Sequence, residues 1–140
     1  MRKRTQAREC ALQLLYKQEL NPETIETLLN SFWENYPASP DVQEYAERLI
    51  RGTLQNLAEI DAILTKYAEH WEIHRMASVD RNILRFATYE LLYLEDIPPK
   101  VAINEAVDIA KKFSQEESGK FVNGILDKIS HTEPRRKQSV

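Results

Sequence analysis

The segment VDRNILRFATYELLYLE, Val79–Glu95, decides the fold. Val79, Ile83, Leu84, Phe86, Ala87, Leu91, Leu92 and Leu94 put apolar side chains on most sides of a helix. That pattern marks a buried central element rather than a surface one. Ser78 stands where it can cap the start of this helix. Asp80 and Glu90 both turn towards its buried side. Near a helix N-terminus Asp80 is favoured by the dipole, whereas Glu90 calls for a basic partner.

The neighbouring segments have the same helical period. Upstream, Ala7, Cys10, Ala11, Leu14 and Leu15 recur on one face of a first helix. Asn21-Pro22 reads as an N-cap and first helical residue, predicting a second helix to about Tyr36. Ser39-Pro40 repeats that start. Residues 40–70 then form one long helix or two joined near Leu57, with Gly52 costing about 1 kcal/mol relative to alanine. The period lapses over 71–78. Downstream, Pro98-Pro99 precedes a helix from about Val101 to Phe113. Ser114-Gln115-Glu116-Glu117 fits a capping box that opens the last helix. No segment sustains strand alternation. The chain therefore reads as all-α, about seven helices in two small packed bundles. The first spans about 3–70 and the second about 71–131, within a single domain over 1–140 that ends in a basic tail, 132–140.

The chain has 140 residues, with 19 Lys+Arg against 22 Asp+Glu. A domain of that length buries about 65–70% of its unfolded surface, enough for a core. Three glycines are too few for a dinucleotide fingerprint or a phosphate-cradling loop. One cysteine cannot form an internal disulfide, which fits a cytoplasmic protein. No apolar run approaches the roughly 18–20 residues of a membrane span. Gln13 and Lys17 break the apolar stretch after the basic N-terminus, so it reads as a helix start rather than a secretion signal. Charge is uneven: Arg2, Lys3, Arg4 and Arg8 open the chain without an acid, and Arg135, Arg136 and Lys137 close it. Basic ends on a mildly acidic body suit a local anionic partner.

Chemistry at the candidate sites points to binding, not catalysis. His70 and His74 have the spacing of a metal half-site, but Glu72 falls on the opposite face and no third ligand is near, so no metal is expected. Cys10 sits on the apolar face of the first helix as an inert small hydrophobe. Tyr16 and Leu12 share the side of that helix facing away from its core, together with Thr5 and Glu9, which suggests a protein interface. In the last helix Phe121 lies at the edge of the core face, beside Gly124, Lys128 and Lys120. An aromatic ring at the margin of a basic strip can stack a base while lysines meet phosphate.

The opening RTQARECALQLLY (Arg4–Tyr16) resembles that of the bacterial transcription antitermination factor NusB family. So do Trp71, Arg75-Met76, VDRNILR from Val79 and Tyr89-Glu90-Leu91. The closing words, DIP from Asp96, VAINEA from Val101, Ala110-Lys111 and GKFVNGILD from Gly119, are the most specific. The likeness covers about residues 3–130. It implies a fold of two helical bundles, no enzymatic activity and no cofactor. It also implies binding of boxA single-stranded RNA in ribosomal RNA transcripts together with NusE, the small-subunit ribosomal protein. The complex joins RNA polymerase and other Nus factors to suppress premature termination. Carried over by position, the RNA-binding candidates are Arg2, Lys3, Arg4, Arg8, Lys120 and Phe121, with Gly124 and Lys128 beside them. Tyr16 and Asp80, with Leu12, fall to the NusE side. Two alternatives are a helical protein–protein adaptor and an RNA-recognition module acting in ribosomal RNA modification.

Overall fold

The computed structural model describes residues 2–136, so Lys137 of the expected tail lies outside the described residues. Among them are seven α-helices: α1 (Lys3–Leu20), α2 (Ile25–Asn35), α3 (Pro40–Gln55), α4 (Leu57–Tyr67), α5 (Ser78–Tyr93), α6 (Pro99–Phe113) and α7 (Glu116–Thr132). A short 3-10 turn, Ile73–Arg75, links α4 to α5. As the apolar wheel of Val79–Glu95 predicts, α5 is the central element. It packs against α1, α3, α4, α6 and α7, and every residue from Asn82 to Tyr93 is buried. α1 lies along α3, and α6 along α7. The buried side chains of all seven helices join in one core.

Several helix ends differ from the sequence reading, because competing local caps, and at Ser78 a partner across the fold, take the polar groups. α2 begins at Ile25, not Pro22: Thr24 caps it by accepting from the Thr27 N–H, and Asn21 instead closes α1. Ser78 is the first residue of α5 rather than its cap, and its hydroxyl donates to Glu19 at 3.0 Å. The capping box at Ser114 does not form. Its N–H closes α6 on the Ala110 carbonyl and its hydroxyl pairs with that of Ser118, leaving Gln115 at the start of α7. Residues 40–70 are two helices, parted at Asn56, whose side-chain amide donates to the Gly52 carbonyl. Gly52 itself has a packing reason: a Cβ there would overlap the ring of Tyr89, so only glycine lets α3 and α5 approach this closely.

The basic C-terminal end is a strap. Arg135 donates to the carbonyls of Leu94 at 2.9 Å and Ile97 at 2.7 Å, and the Arg136 N–H reaches the Leu92 carbonyl. The Leu92 carbonyl lies in the last turn of α5, and those of Leu94 and Ile97 in the turn that follows, so the tail ties down the end of the central helix. The Arg136 guanidinium is likewise committed, to Glu59 and Glu133. Through Arg136, the closing cations therefore serve the fold.

Candidate nucleic-acid interface

Phe121 sits on α7 at the margin of the core, half-buried, as its place on the wheel predicts. The structure adds a second ring that the sequence reading did not place in a site. Past the end of α4 the chain turns sharply at Glu69, whose φ is +27°, and the Trp71 N–H bonds to the Ala68 carbonyl. That turn stands Trp71 edge-to-face against Phe121, centroids 6.0 Å apart, while leaving the indole 56% exposed. An exposed tryptophan held by a turn and a partner ring is a preformed stacking surface. Its signal in the sequence was a tryptophan inside a stretch without helical period.

Grooves flank this aromatic pair. One, of about 260 Å³, is lined by Trp71, Phe121, Gly124, Lys120 and Lys128. Gly124 has no packing neighbour, since a Cβ there would meet nothing within 4 Å, and it leaves the surface beside Phe121 open. Lys120 and Lys128 are both exposed, and Lys128 holds Glu69 only at 3.4 Å. The other groove, of about 190 Å³, runs between Trp71, Met76, Asp80, Ser118 and Phe121. Asp80 accepts from the Ser118 hydroxyl at 3.3 Å through Oδ2, while Oδ1 is buried with no partner. Burial pushes its carboxyl above the usual range, opposed by that hydroxyl.

Arg8, a candidate for RNA contact, is not on the surface. It is 2% exposed and clamps Glu90 through Nε at 2.9 Å, with Nη1 on Glu105 at 2.8 Å. Glu90 also accepts from the Tyr45 hydroxyl. Burial lowers the Arg8 pKa, but Glu90, Tyr45 and Glu105 together outweigh it, so the pKa is raised and the guanidinium stays charged. The basic partner expected for Glu90 is thus Arg8 itself. Leu12 is corrected in the same way. It is buried, as is Glu9, which holds Lys112, while Thr5 bonds to Glu105. α1 is packed by α5 as well as α3, and side chains of α6 reach it through Glu105 and Lys112, so the face that a one-core wheel leaves to solvent is covered. Tyr16, a turn further on, remains 43% exposed.

Arg2, Lys3 and Arg4 are exposed, yet the fold does not set them beside Phe121. Lys3 pairs with Asp41 and Arg4 lies over the Tyr45 ring, lining a cleft between α1 and α3. Arg8 meets α5 at Glu90, whereas the Phe121 groove meets it at Asp80. Ten residues of helix separate the two, about 15 Å. Tyr16 does not line the groove that holds Asp80. His70 and His74 are exposed, and no group of three or more potential metal ligands occurs among the described residues. Burial pushes the Cys10 thiol up to about 11, which keeps it unreactive.

A family model described as NusB matches residues 5–131. This chain belongs to the NusB family. The transcription antitermination protein NusB of Thermodesulfovibrio yellowstonii is 48% identical, the alignment covering 94% of this chain and 93% of that protein. Among solved structures, NusB of T. maritima superposes with a TM-score of 0.84 at 43% identity, covering 95% of this chain and 93% of that one. A crystal structure of the antitermination factors NusB and NusE in complex with double-stranded RNA is similar at 36% identity. Its TM-score is 0.82, covering 94% of this chain and 98% of that one. No described helix of this NusB-family chain is long and apolar enough to cross a membrane.

Proposed function

We propose that this chain is a cytoplasmic transcription antitermination factor. It binds boxA single-stranded RNA of ribosomal RNA transcripts together with NusE. In company with RNA polymerase and other Nus factors it suppresses premature termination, acting by binding rather than catalysis. The observation that carries the reading is the Trp71–Phe121 pair beside Lys120 and Lys128. Stacking on exposed rings holds unpaired bases, and adjacent lysines meet the phosphates between them. Gly124 leaves room for the strand to approach. Arg2, Lys3 and Arg4 form a second, distant phosphate contact that a longer RNA reaches. Tyr16 faces NusE. Kinship with NusB proteins, and likeness to a NusB–NusE complex that contains RNA, support the same reading.

The test is a titration of fluorescent boxA RNA against a scrambled RNA, with and without NusE, for the wild type and Phe121→Ala. Selective binding that NusE strengthens and Phe121→Ala weakens by about 5- to 100-fold supports it. Equal binding of both RNAs in every condition would leave a helical adaptor as the better account.

A further inference from the structure

Trp71 stands on the connector between α4 and α5, residues 68–77, whose regular structure is the 3-10 turn Ile73–Arg75. Its backbone bonds are local, from Trp71 to Ala68, Arg75 to Glu72 and Met76 to Ile73. A segment with so little ladder of its own is soft unless the rest of the fold fixes it. Ile73 and Met76 are anchored by buried side chains, and the guanidinium of Arg81 takes the carbonyls of the same two residues. Its Nη1 donates to Ile73 at 3.2 Å and to Met76 at 2.9 Å. On the other edge, Nε and Nη2 form a fork on the Glu19 carboxylate of α1, each at 2.7 Å. Glu19 is itself held by Ser78 and Arg85, so the mooring point is fixed.

Arg81 is the fourth residue of α5, and a cation near a helix N-terminus is disfavoured by the dipole. Its own helix therefore gives no reason for it, whereas the connector carbonyls and Glu19 do. Arg81 lines neither groove, and its side chain is only 13% exposed, so it does not meet the RNA itself. We propose that Arg81 is a positioning residue for RNA binding, holding the Trp71 wall of the stacking surface against Phe121 by mooring the connector to Glu19. The turn at Glu69 sets one end of the connector and Arg81 the other. A ring fixed before the strand arrives costs no ordering on binding, so the clamp is felt as affinity. Arginine suits the task because its planar fork serves the carboxylate and the carbonyls together, which a single ammonium cannot. The inference rests on the RNA reading above.

The experiment is a double-mutant cycle on boxA affinity, with Arg81→Ala, Arg81→Lys and Trp71→Ala singly and in pairs. Trp71→Ala is expected to weaken binding by about 5- to 100-fold, the range for one stacked base. Arg81→Lys keeps the charge beside Glu19 and loses the carbonyl clamp. It should weaken binding by about 2- to 10-fold, a part of the stacking contribution. Arg81→Ala should lose at least as much. Once Trp71 is alanine, neither change at Arg81 should alter RNA affinity further. In a Trp33→Phe protein Trp71 is the sole tryptophan, and its fluorescence anisotropy should fall on Arg81→Lys. Thermal melts check folding, and Arg81→Lys decides the matter if Arg81→Ala does not fold. Full affinity with Arg81→Lys, an equal loss with and without Trp71, or binding indifferent to Trp71→Ala overturns the inference. If Phe121→Ala still weakens RNA binding in that case, the RNA reading stands without it. RNA binding indifferent to both Trp71→Ala and Phe121→Ala would remove both.

Discussion

Arg8 and Glu90, 82 residues apart in sequence, form a two-bonded ion pair in which both side chains are at most 3% exposed. The pair ties the first helix to the central one. It also removes from the surface one of the cations that the basic N-terminus offers to an anionic partner. Arg8→Ala would leave Glu90 buried and uncompensated, so it is expected to cost about 3–5 kcal/mol of stability. In denaturant titrations, the paired change Arg8→Met with Glu90→Leu should recover much of that loss. RNA affinity of the folded Arg8→Ala protein should equal the wild type, and a marked loss at full folding would return Arg8 to the RNA surface.

The C-terminal strap is structural. Replacing Arg135 by alanine removes the guanidinium donor from the Leu94 and Ile97 carbonyls at once. A loss of about 1–3 kcal/mol is expected from these charge-assisted bonds, read as a lower melting temperature. BoxA affinity should not change. Weakened RNA binding at unchanged stability would show that the tail docks on the strand.

Acid should loosen the molecule in a defined window. The hydrogen bond from Arg81 holds the Glu19 carboxyl down to about 2 against the opposing effect of burial, with Ser78 and Arg85 assisting. The Tyr67 hydroxyl, with Lys66 and Arg136, does the same for Glu133, also to about 2. Both groups bind protons more readily in the unfolded chain, at the ordinary value of 4.5. Their contribution is therefore complete above that value and lost as pH falls towards 2. Melting temperatures measured between pH 6 and pH 2 should fall across this window. For the Glu19→Gln variant the fall should be shallower.

The separation of the two basic patches sets a length dependence on salt sensitivity. A short RNA that reaches only Lys120 and Lys128 should show a log–log salt slope near −1.4, at about 0.7 per phosphate neutralised. An RNA long enough to reach Arg2, Lys3 and Arg4 as well should steepen it to about −3.5. A slope independent of length would mean that the N-terminal cations take no part.

Tyr16 keeps an exposed ring on a helix that buries the preceding Leu12, Leu14 and Leu15. Tyr16→Ala should weaken NusE binding by about 1–2 kcal/mol, measured calorimetrically, with the melting temperature almost unchanged. An unaltered dissociation constant would take Tyr16 out of the interface.

Local chemistry accounts for what could be read in advance. The apolar wheel of Val79–Glu95 needed no partner to announce a buried helix, because burial on most sides leaves a pattern in the residues themselves. Phe121 at the edge of a core face, with lysines beside it, follows from helix periodicity in the same way. The sequence by itself determined the all-helical class, the central element and the strip of α7 that sets Phe121 beside Lys120 and Lys128. Only the tertiary structure decided the fates of Arg8, Leu12, Arg135 and Trp71. A one-helix wheel assumes one core, whereas α1 is packed by both α3 and α5 and reached by side chains of α6. A cation's role depends on whether a carboxylate or an open carbonyl lies across the fold, as Glu90 does for Arg8 and Leu94 for Arg135. Trp71 meets Phe121 only because a turn at Glu69 brings residues 50 apart edge to face. Such pairings are set by chain topology, and no local period encodes them.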